Sequence, residues 1–159
     1  MKSKAKVVVI GGGVVGVSTL YHLAKKGWSD VVLCERKELT SGSTWHAAGL
    51  MPLFNMSYSV GQIHKYSVKF YQELEKETGQ DVGFREVSNI RLAENQDRMD
   101  EYRQYAGVAE TIGVKVNFLT PEEIQKAWPL CSIDGLVGAI QHPEDGYIQP
   151  NDLTQALAK

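Results

Sequence analysis

The sequence predicts an α/β fold that opens on a βαβ unit and continues into part of an α+β region. Three observations carry that prediction. A β-branched run, Val7-Val8-Val9-Ile10, reads as a strand buried on both faces. Glycines at 11, 12, 13 and 16 follow at once and lead into an amphipathic stretch. A second apolar run, Val31-Val32-Leu33-Cys34, comes after it. Two strands joined by a helical crossover pair in parallel, with a right-handed connection.

The elements follow in order. The first helix is expected from Val14 to Lys26, with Val17, Leu20, Tyr21 and Ala24 on one face. Gly27 stands where a left-handed residue would stop it. Residues 40–57 are rich in Ser, Thr, Gly, Ala and Met and show no clean period. They read as an ordered loop with a short helix, small enough in side chain to let backbone approach a ligand. A long helix follows, with Val60, Ile63, Ser67, Phe70 and Leu74 as its expected inner face and Gly79 as its stop. Residues 84–93 form one strand candidate, although Arg85, Glu86 and Arg91 are charged. Gln96 to Ile112 is helical, with Met99, Tyr102, Ala106 and Ala109 inward and Gly113 after it. Residues 114–119 alternate like a strand. Thr120-Pro121-Glu122-Glu123 is a capping box with proline at the first helical position. Leu136 to Gln141 is a further strand.

Pro150, Asn151 and Asp152 begin a last helix whose apolar face is Leu153, Ala156 and Leu157. It meets no terminator before Lys159, and so short a helix is marginal alone. The chain is therefore expected to be truncated. Three segments organise it: a cofactor-binding βαβ unit with its loop over 1–50, helices and strands leading into a substrate region over 51–148, and a returning helix over 149–159.

Composition excludes several function classes. The chain has 159 residues, 43% hydrophobic and 23% charged, enough for one real core. A net charge of -2 gives nucleic acid or an acidic membrane no electrostatic attraction. Lys2, Lys4 and Lys6 run straight into the first strand, with no cleavable leader pattern. The run from Val7 to Val17 is too short to span a bilayer. Cys34 and Cys131 lack metal-ligand spacing, are expected to be buried thiols, and suit a reducing, cytoplasmic setting.

The chemistry begins at Gly11-x-Gly13-x-x-Gly16, set between strand and helix. Gly11 permits the tight turn, Gly13 lets backbone approach a pyrophosphate, and Gly16 lets helix pack on strand. Val14 and Val15 then open a helix whose N–H groups and dipole favour phosphate. Glu35 ends the second strand at the distance expected of an acid that accepts from adenosine ribose hydroxyls. Arg36 beside it can lie over the adenine. This is a Rossmann-like dinucleotide site, and the acid disfavours a 2′-phosphate. The motif does not choose between FAD and NAD.

The next segment makes that choice by resemblance. Gly42-Ser43-Thr44-Trp45-His46-Ala47-Ala48-Gly49, followed by Leu50, resembles the D-amino-acid-oxidase-like flavoprotein family, in particular its dimethylglycine and sarcosine dehydrogenase branch. Asp145-Gly146-Tyr147-Ile148-Gln149-Pro150 and the segment from Leu153 to Ala158 carry the resemblance to the far end. It implies FAD as cofactor, joined covalently through His46, and contacts to it along Gly42–Leu50. It also implies oxidation of a C–N bond in a small N-methylated amine such as dimethylglycine or sarcosine. An electron-transfer protein or oxygen would be the acceptor. The catalytic residues are expected beyond Lys159. Two alternatives from other classes remain at this point, an NAD-binding protein without flavin and a non-catalytic nucleotide-binding fragment.

The other prominent side chains have ordinary readings. Trp45 is expected to fill core, and His22 to pack while partly solvated. His64 is expected on the helix surface and His142 in a solvent-exposed loop.

Overall fold

The computed structural model describes residues 4–53 and 55–159, so Lys2 and Phe54 fall outside the described residues. The elements are β1 (Val7–Ile10), α1 (Val14–Lys25), β2 (Val31–Cys34), a 3-10 turn (Thr44–His46), β3 (Leu50–Met51), α2 (Tyr58–Thr78), β4 (Arg85–Glu86) and β5 (Asn89–Ala93). They continue with α3 (Gln96–Ile112), β6 (Asn117–Leu119), α4 (Pro121–Ala127), β7 (Gly138–His142), β8 (Gly146–Tyr147) and α5 (Pro150–Ala158). The chain divides into two compact units. One holds the chain through Leu50 together with 70–84 and 148–159, and the other holds 51–69 and 85–147.

In the first unit β1 and β2 pair in parallel, Val7 opposite Val31 and Ile10 opposite Cys34. The crossover is α1, whose Val17 is buried. Gly27 adopts φ +84° and ends it, its N–H reaching the Ala24 carbonyl at 2.8 Å. Phe70 and Leu74, from the far half of α2, are buried. The Phe70 ring lies 4.9 Å from the His22 ring, so His22 is a partly exposed packing residue, as expected. Leu153, Ala156 and Leu157 give α5 its buried face, and α5 packs on α1.

The second unit centres on an antiparallel sheet in the order β5-β7-β6. Successive residues of a strand point to opposite faces, so Ala139 and Ile140 serve two separate clusters. Ile140 packs with Ala93 and with Met99 and Tyr102 of α3. Ala139 packs with Ile124 of α4 and Cys131. The Tyr102 hydroxyl donates to the Leu92 carbonyl at 3.0 Å, which satisfies its polar end. The capping box at Thr120 and Glu123 is formed.

Several sequence expectations are corrected. The single strand over 84–93 is two, because Ser88 takes φ +72° and turns the chain between them. The N–H groups of Val87 and Ser88 both donate to the Asp145 carbonyl, at 3.1 and 2.8 Å. The strand expected from 114 starts at Asn117, since the Val114 N–H is consumed by the end of α3 at the Ala109 carbonyl. Ile63 is 62% exposed and Val60 is also exposed. The inner face of this half of α2 centres instead on Gly61, where an added Cβ would lie 2.7 Å from Ile112 Cδ1. A hydrophobicity pattern overlooks a glycine that makes room for a neighbour. Cys34 is exposed, not buried, whereas Cys131 is buried.

His142 is the largest reversal. It is the last residue of β7 and only 1% exposed. Burial, with the Arg91 charge adding to it, pushes its imidazole down to about 4. His64, expected on the surface, is half-buried, with no hydrogen-bond partner for its enclosed Nδ1. Burial pushes the neighbouring Asp145 carboxyl up, opposed by the Leu53 N–H at 2.8 Å and by Arg91 and His64.

A pH dependence follows. His142 folds neutral, so its contribution is complete above the ordinary histidine value of 6.5 and is lost as pH falls toward 4. For so enclosed a group the loss reaches about 2 kcal/mol near pH ~5. Asp145 acts oppositely: its contribution is full below the ordinary 3.8 and is lost as pH rises through its raised value. Thermal unfolding of wild type and His142→Gln, which share Asp145, isolates the histidine. The stability difference should shift in favour of the variant on acidification through the histidine range. A pH-independent difference would mean that His142 is not buried in its neutral form.

Candidate nucleotide-binding site

The site is built on the turn between β1 and α1. The chain leaves Ile10 through Gly11, whose φ of +107° is closed to L side chains without strain. The Gly11 N–H donates to the Cys34 carbonyl at 2.9 Å and ties the turn to β2. A Cβ at Gly16 would lie 2.0 Å from the Gly11 carbonyl oxygen. Here α1 approaches the turn more closely than any side chain allows. Gly13 is the N-cap of α1 and has no side chain to receive the first-turn N–H groups.

Glu35 stands at the end of β2. Its Oε2 accepts the Gly12 N–H at 2.6 Å and its Oε1 accepts the Lys37 N–H at 2.9 Å. The Gly12 bond, then the Lys37 bond, hold its carboxyl below the usual 4.5. Both oxygens retain lone pairs, so Glu35 is an oriented anion ready to accept from hydroxyl donors.

A cleft of about 530 Å³ opens over these groups. Gly11, Gly13, Val14, Val15 and Gly16 line it from the turn and α1, Glu35 and Arg36 from the segment just after β2, and Gly42, Ser43 and Thr44 from the loop. Val9, Ile10, Thr19, Lys37 and Ser41 complete the wall. The structure thus brings ten of the expected site residues to one cavity. Trp45, His46, Ala47, Ala48, Gly49 and Leu50 lie beyond its lining.

The 3-10 turn explains that division. Successive residues in such a turn diverge by roughly 120°. With Thr44 buried, Trp45 swings outward and is 57% exposed, so it does not fill core as expected. The Trp45 and His46 rings lie 3.9 Å apart between centroids. His46 is exposed, and its Nδ1 lies 3.1 Å from the Gly42 carbonyl oxygen. A carbonyl only accepts, so Nδ1 is the donor, and in the neutral tautomer with that proton Nε2 is the nitrogen that bears the lone pair. Past the alanines, the Gly49 carbonyl accepts the Ile148 N–H at 2.8 Å. A Cβ at Gly49 would meet the Ile148 oxygen at 2.1 Å.

Sequence reasoning passed over three contributors. Gly12 and Lys37 act through backbone N–H groups, which no side-chain pattern reports. Thr40 is buried at φ +70° and donates its N–H to the Gly12 carbonyl at 3.0 Å. No residue-type signal marks that conformation, since glycine or asparagine is its usual occupant. Among the described residues no cluster of three metal-ligating side chains occurs, and no helix is long and apolar enough to cross a membrane.

Residues 6–159 match the family described as DAO, FAD dependent oxidoreductase. Over 157 residues the chain is 46% identical to mitochondrial dimethylglycine dehydrogenase of Rattus norvegicus, covering 99% of this chain and 18% of that protein. Over 160 residues it is 39% identical to mitochondrial sarcosine dehydrogenase of Homo sapiens, covering 100% of this chain and 17% of that one. The crystal structure of L-proline dehydrogenase from P. horikoshii aligns with a TM-score of 0.92 at 28% identity, over 99% of this chain and 41% of that chain. The chain therefore spans less than a fifth of the length of these curated relatives. Both of them are mitochondrial by name, which lends no support to the cytoplasmic setting expected from composition.

Proposed function

This chain belongs to the DAO family of FAD-dependent oxidoreductases, and from that premise we propose that its cleft holds the adenosine diphosphate end of FAD while His46 carries the flavin end covalently. The residues fit that group. Gly13 has no Cβ between the cleft and the start of α1, whose dipole favours phosphate. Gly11, Gly13, Val14, Val15 and Gly16 would hold the pyrophosphate. Glu35 would accept from the ribose hydroxyls, with Arg36 at the adenine side. Gly42 through Leu50 would follow the cofactor toward its ring. Once bound, the flavin supplies the electron sink for oxidation of a C–N bond.

The substrate class we assign is a small N-methylated amine or amino acid, of the kind that dimethylglycine and sarcosine dehydrogenases are named for. An electron-transfer protein or oxygen would take the electrons onward. This chain's own part is binding and orientation; none of its residues is assigned a proton-transfer role.

One observation carries the covalent reading, the bond from His46 Nδ1 to the Gly42 carbonyl. It sets the tautomer and leaves Nε2, on an exposed ring, as the nucleophilic nitrogen. Acid precipitation of the full-length protein should leave yellow flavin in the pellet, and a tryptic peptide containing His46 should carry the FAD mass. A colourless pellet under a yellow supernatant means a non-covalent flavin. A colourless preparation throughout means that the site takes no flavin.

The adenosine end has its own test. In Glu35→Gln the side-chain amide NH₂ must face one of the two N–H donors that the carboxylate now accepts. One backbone bond is lost whichever way it turns, and the ribose meets a weaker acceptor. FAD affinity, titrated in a His46→Ala background, should fall by roughly tenfold or more. In the Glu35 protein this contribution persists above the usual carboxylate value of 4.5 and is lost as pH falls through its lowered value. Unchanged FAD affinity in Glu35→Gln rules out the ribose assignment.

A further inference from the structure

The first turn of α1 is capped by a side chain 30 positions away. Thr44 Oγ1 accepts the Val14 N–H at 3.0 Å. A Ser, Thr, Asp or Asn at an N-cap receives the N–H of the second or third helical residue, and the first, here Val14, is left to a more distant acceptor. Here the N-cap is Gly13, which offers none, and a Cβ there would lie 2.9 Å from the same Thr44 oxygen. Glycine and threonine are thus a matched pair: the missing side chain is what admits the distant hydroxyl. Thr44 is only 8% exposed, so water is a poor substitute for it.

A second stitch lies four residues earlier. The Thr40 N–H donates to the Gly12 carbonyl at 3.0 Å, and Thr40 is held there at φ +70°. A β-branched residue stays in that conformation only where its surroundings impose it. Residues 40–44 are therefore fastened to residues 12–14 at both ends. Thr44 also opens the 3-10 turn that ends at His46, its carbonyl accepting the Ala47 N–H at 3.2 Å.

We infer that Thr44 is a positioning residue whose hydroxyl, by capping α1 from outside the helix, locks the His46-bearing turn to the glycine turn. The two halves of the nucleotide site are then set by one buried brace. The role is exercised through α1 and the loop backbone. Its cofactor consequence rests on the reading of the cleft as an FAD site, while the brace itself does not.

The test uses the full-length protein with Thr44→Val, which keeps the shape and loses the acceptor, and Thr44→Ser, which keeps the acceptor and loses the methyl. Hydrogen–deuterium exchange of flavin-free protein is followed in peptides covering residues 11–16 and 41–48. Thr44→Val should speed exchange in both peptides together, because one bond spans them, and Thr44→Ser should restore both. In a His46→Ala background Thr44→Val should weaken FAD binding roughly fivefold, the loss of one hydrogen bond, with Thr44→Ser close to its parent. Faster exchange confined to 41–48, or equal effects of Val and Ser, overturns the brace in favour of plain packing. Coupled exchange with unchanged FAD affinity overturns the positioning role. If the His46→Ala parent takes up no FAD at all, the FAD reading fails, and the exchange result alone judges the brace.

Discussion

His46→Ala in the full-length protein is expected to abolish acid-stable flavin completely while leaving the protein folded and able to bind FAD reversibly. The ring is exposed, and its Nδ1 is hydrogen-bonded to the Gly42 carbonyl. Removing such a side chain changes stability by about 0.5 kcal/mol or less. The anchors at the other end of the cleft, Gly11, Gly13, Gly16 and Glu35, are untouched. Yellow colour should therefore move from pellet to supernatant on acid treatment, with the thermal transition of the apoprotein unchanged. Flavin that remains acid-stable in His46→Ala would place the link on another residue. A variant that neither folds nor binds FAD would show that His46 acts structurally.

Gly16→Ala should have the largest effect on the fold of the nucleotide site. The added methyl would sit 2.0 Å from the Gly11 carbonyl oxygen and 3.1 Å from its carbon. Both are backbone atoms, so no rotamer change relieves the clash. Either α1 lifts off the turn or the turn opens, and each moves the α1 N-terminus away from the cleft. Overpacking of this kind costs about 1–3 kcal/mol, and more where backbone must move. FAD uptake should fall below detection. Gly42→Ala is the stability control, since a Cβ there meets nothing within 4 Å. Its melting temperature should match wild type, while that of Gly16→Ala drops by several degrees. Equal melting temperatures for the two variants would mean that α1 does not sit on the Gly11 carbonyl.

The sequence by itself determined the elements whose signals are local. The run Val7–Ile10, the glycine turn, the amphipathic α1 and the run Val31–Cys34 specify a parallel βαβ unit, and the register of β1 on β2 agrees with it. Gly113 and the Thr120 capping box fix the end of α3 and the start of α4 for the same reason. Period and capping are written in residues a few positions apart. That Glu35 comes to the glycine turn was legible because its distance from the glycines is set by one strand-helix-strand passage.

Tertiary structure decided whatever depends on partners distant in sequence. His142 is buried because β7 runs between β5 and β6, with β5's Asn89 directly opposite it, a fact absent from its own neighbourhood. The inner face of the first half of α2 centres on Gly61 because Ile112, 51 residues later, fills the space beside it. The Glu35 carboxylate is held ionised by N–H groups of Gly12 and Lys37, which any residue types would supply. Thr44 caps a helix that starts 30 residues before it, and its burial turns Trp45 outward. Backbone donors and close approaches leave no mark on residue type, so only the folded chain reveals which hydroxyl meets which amide.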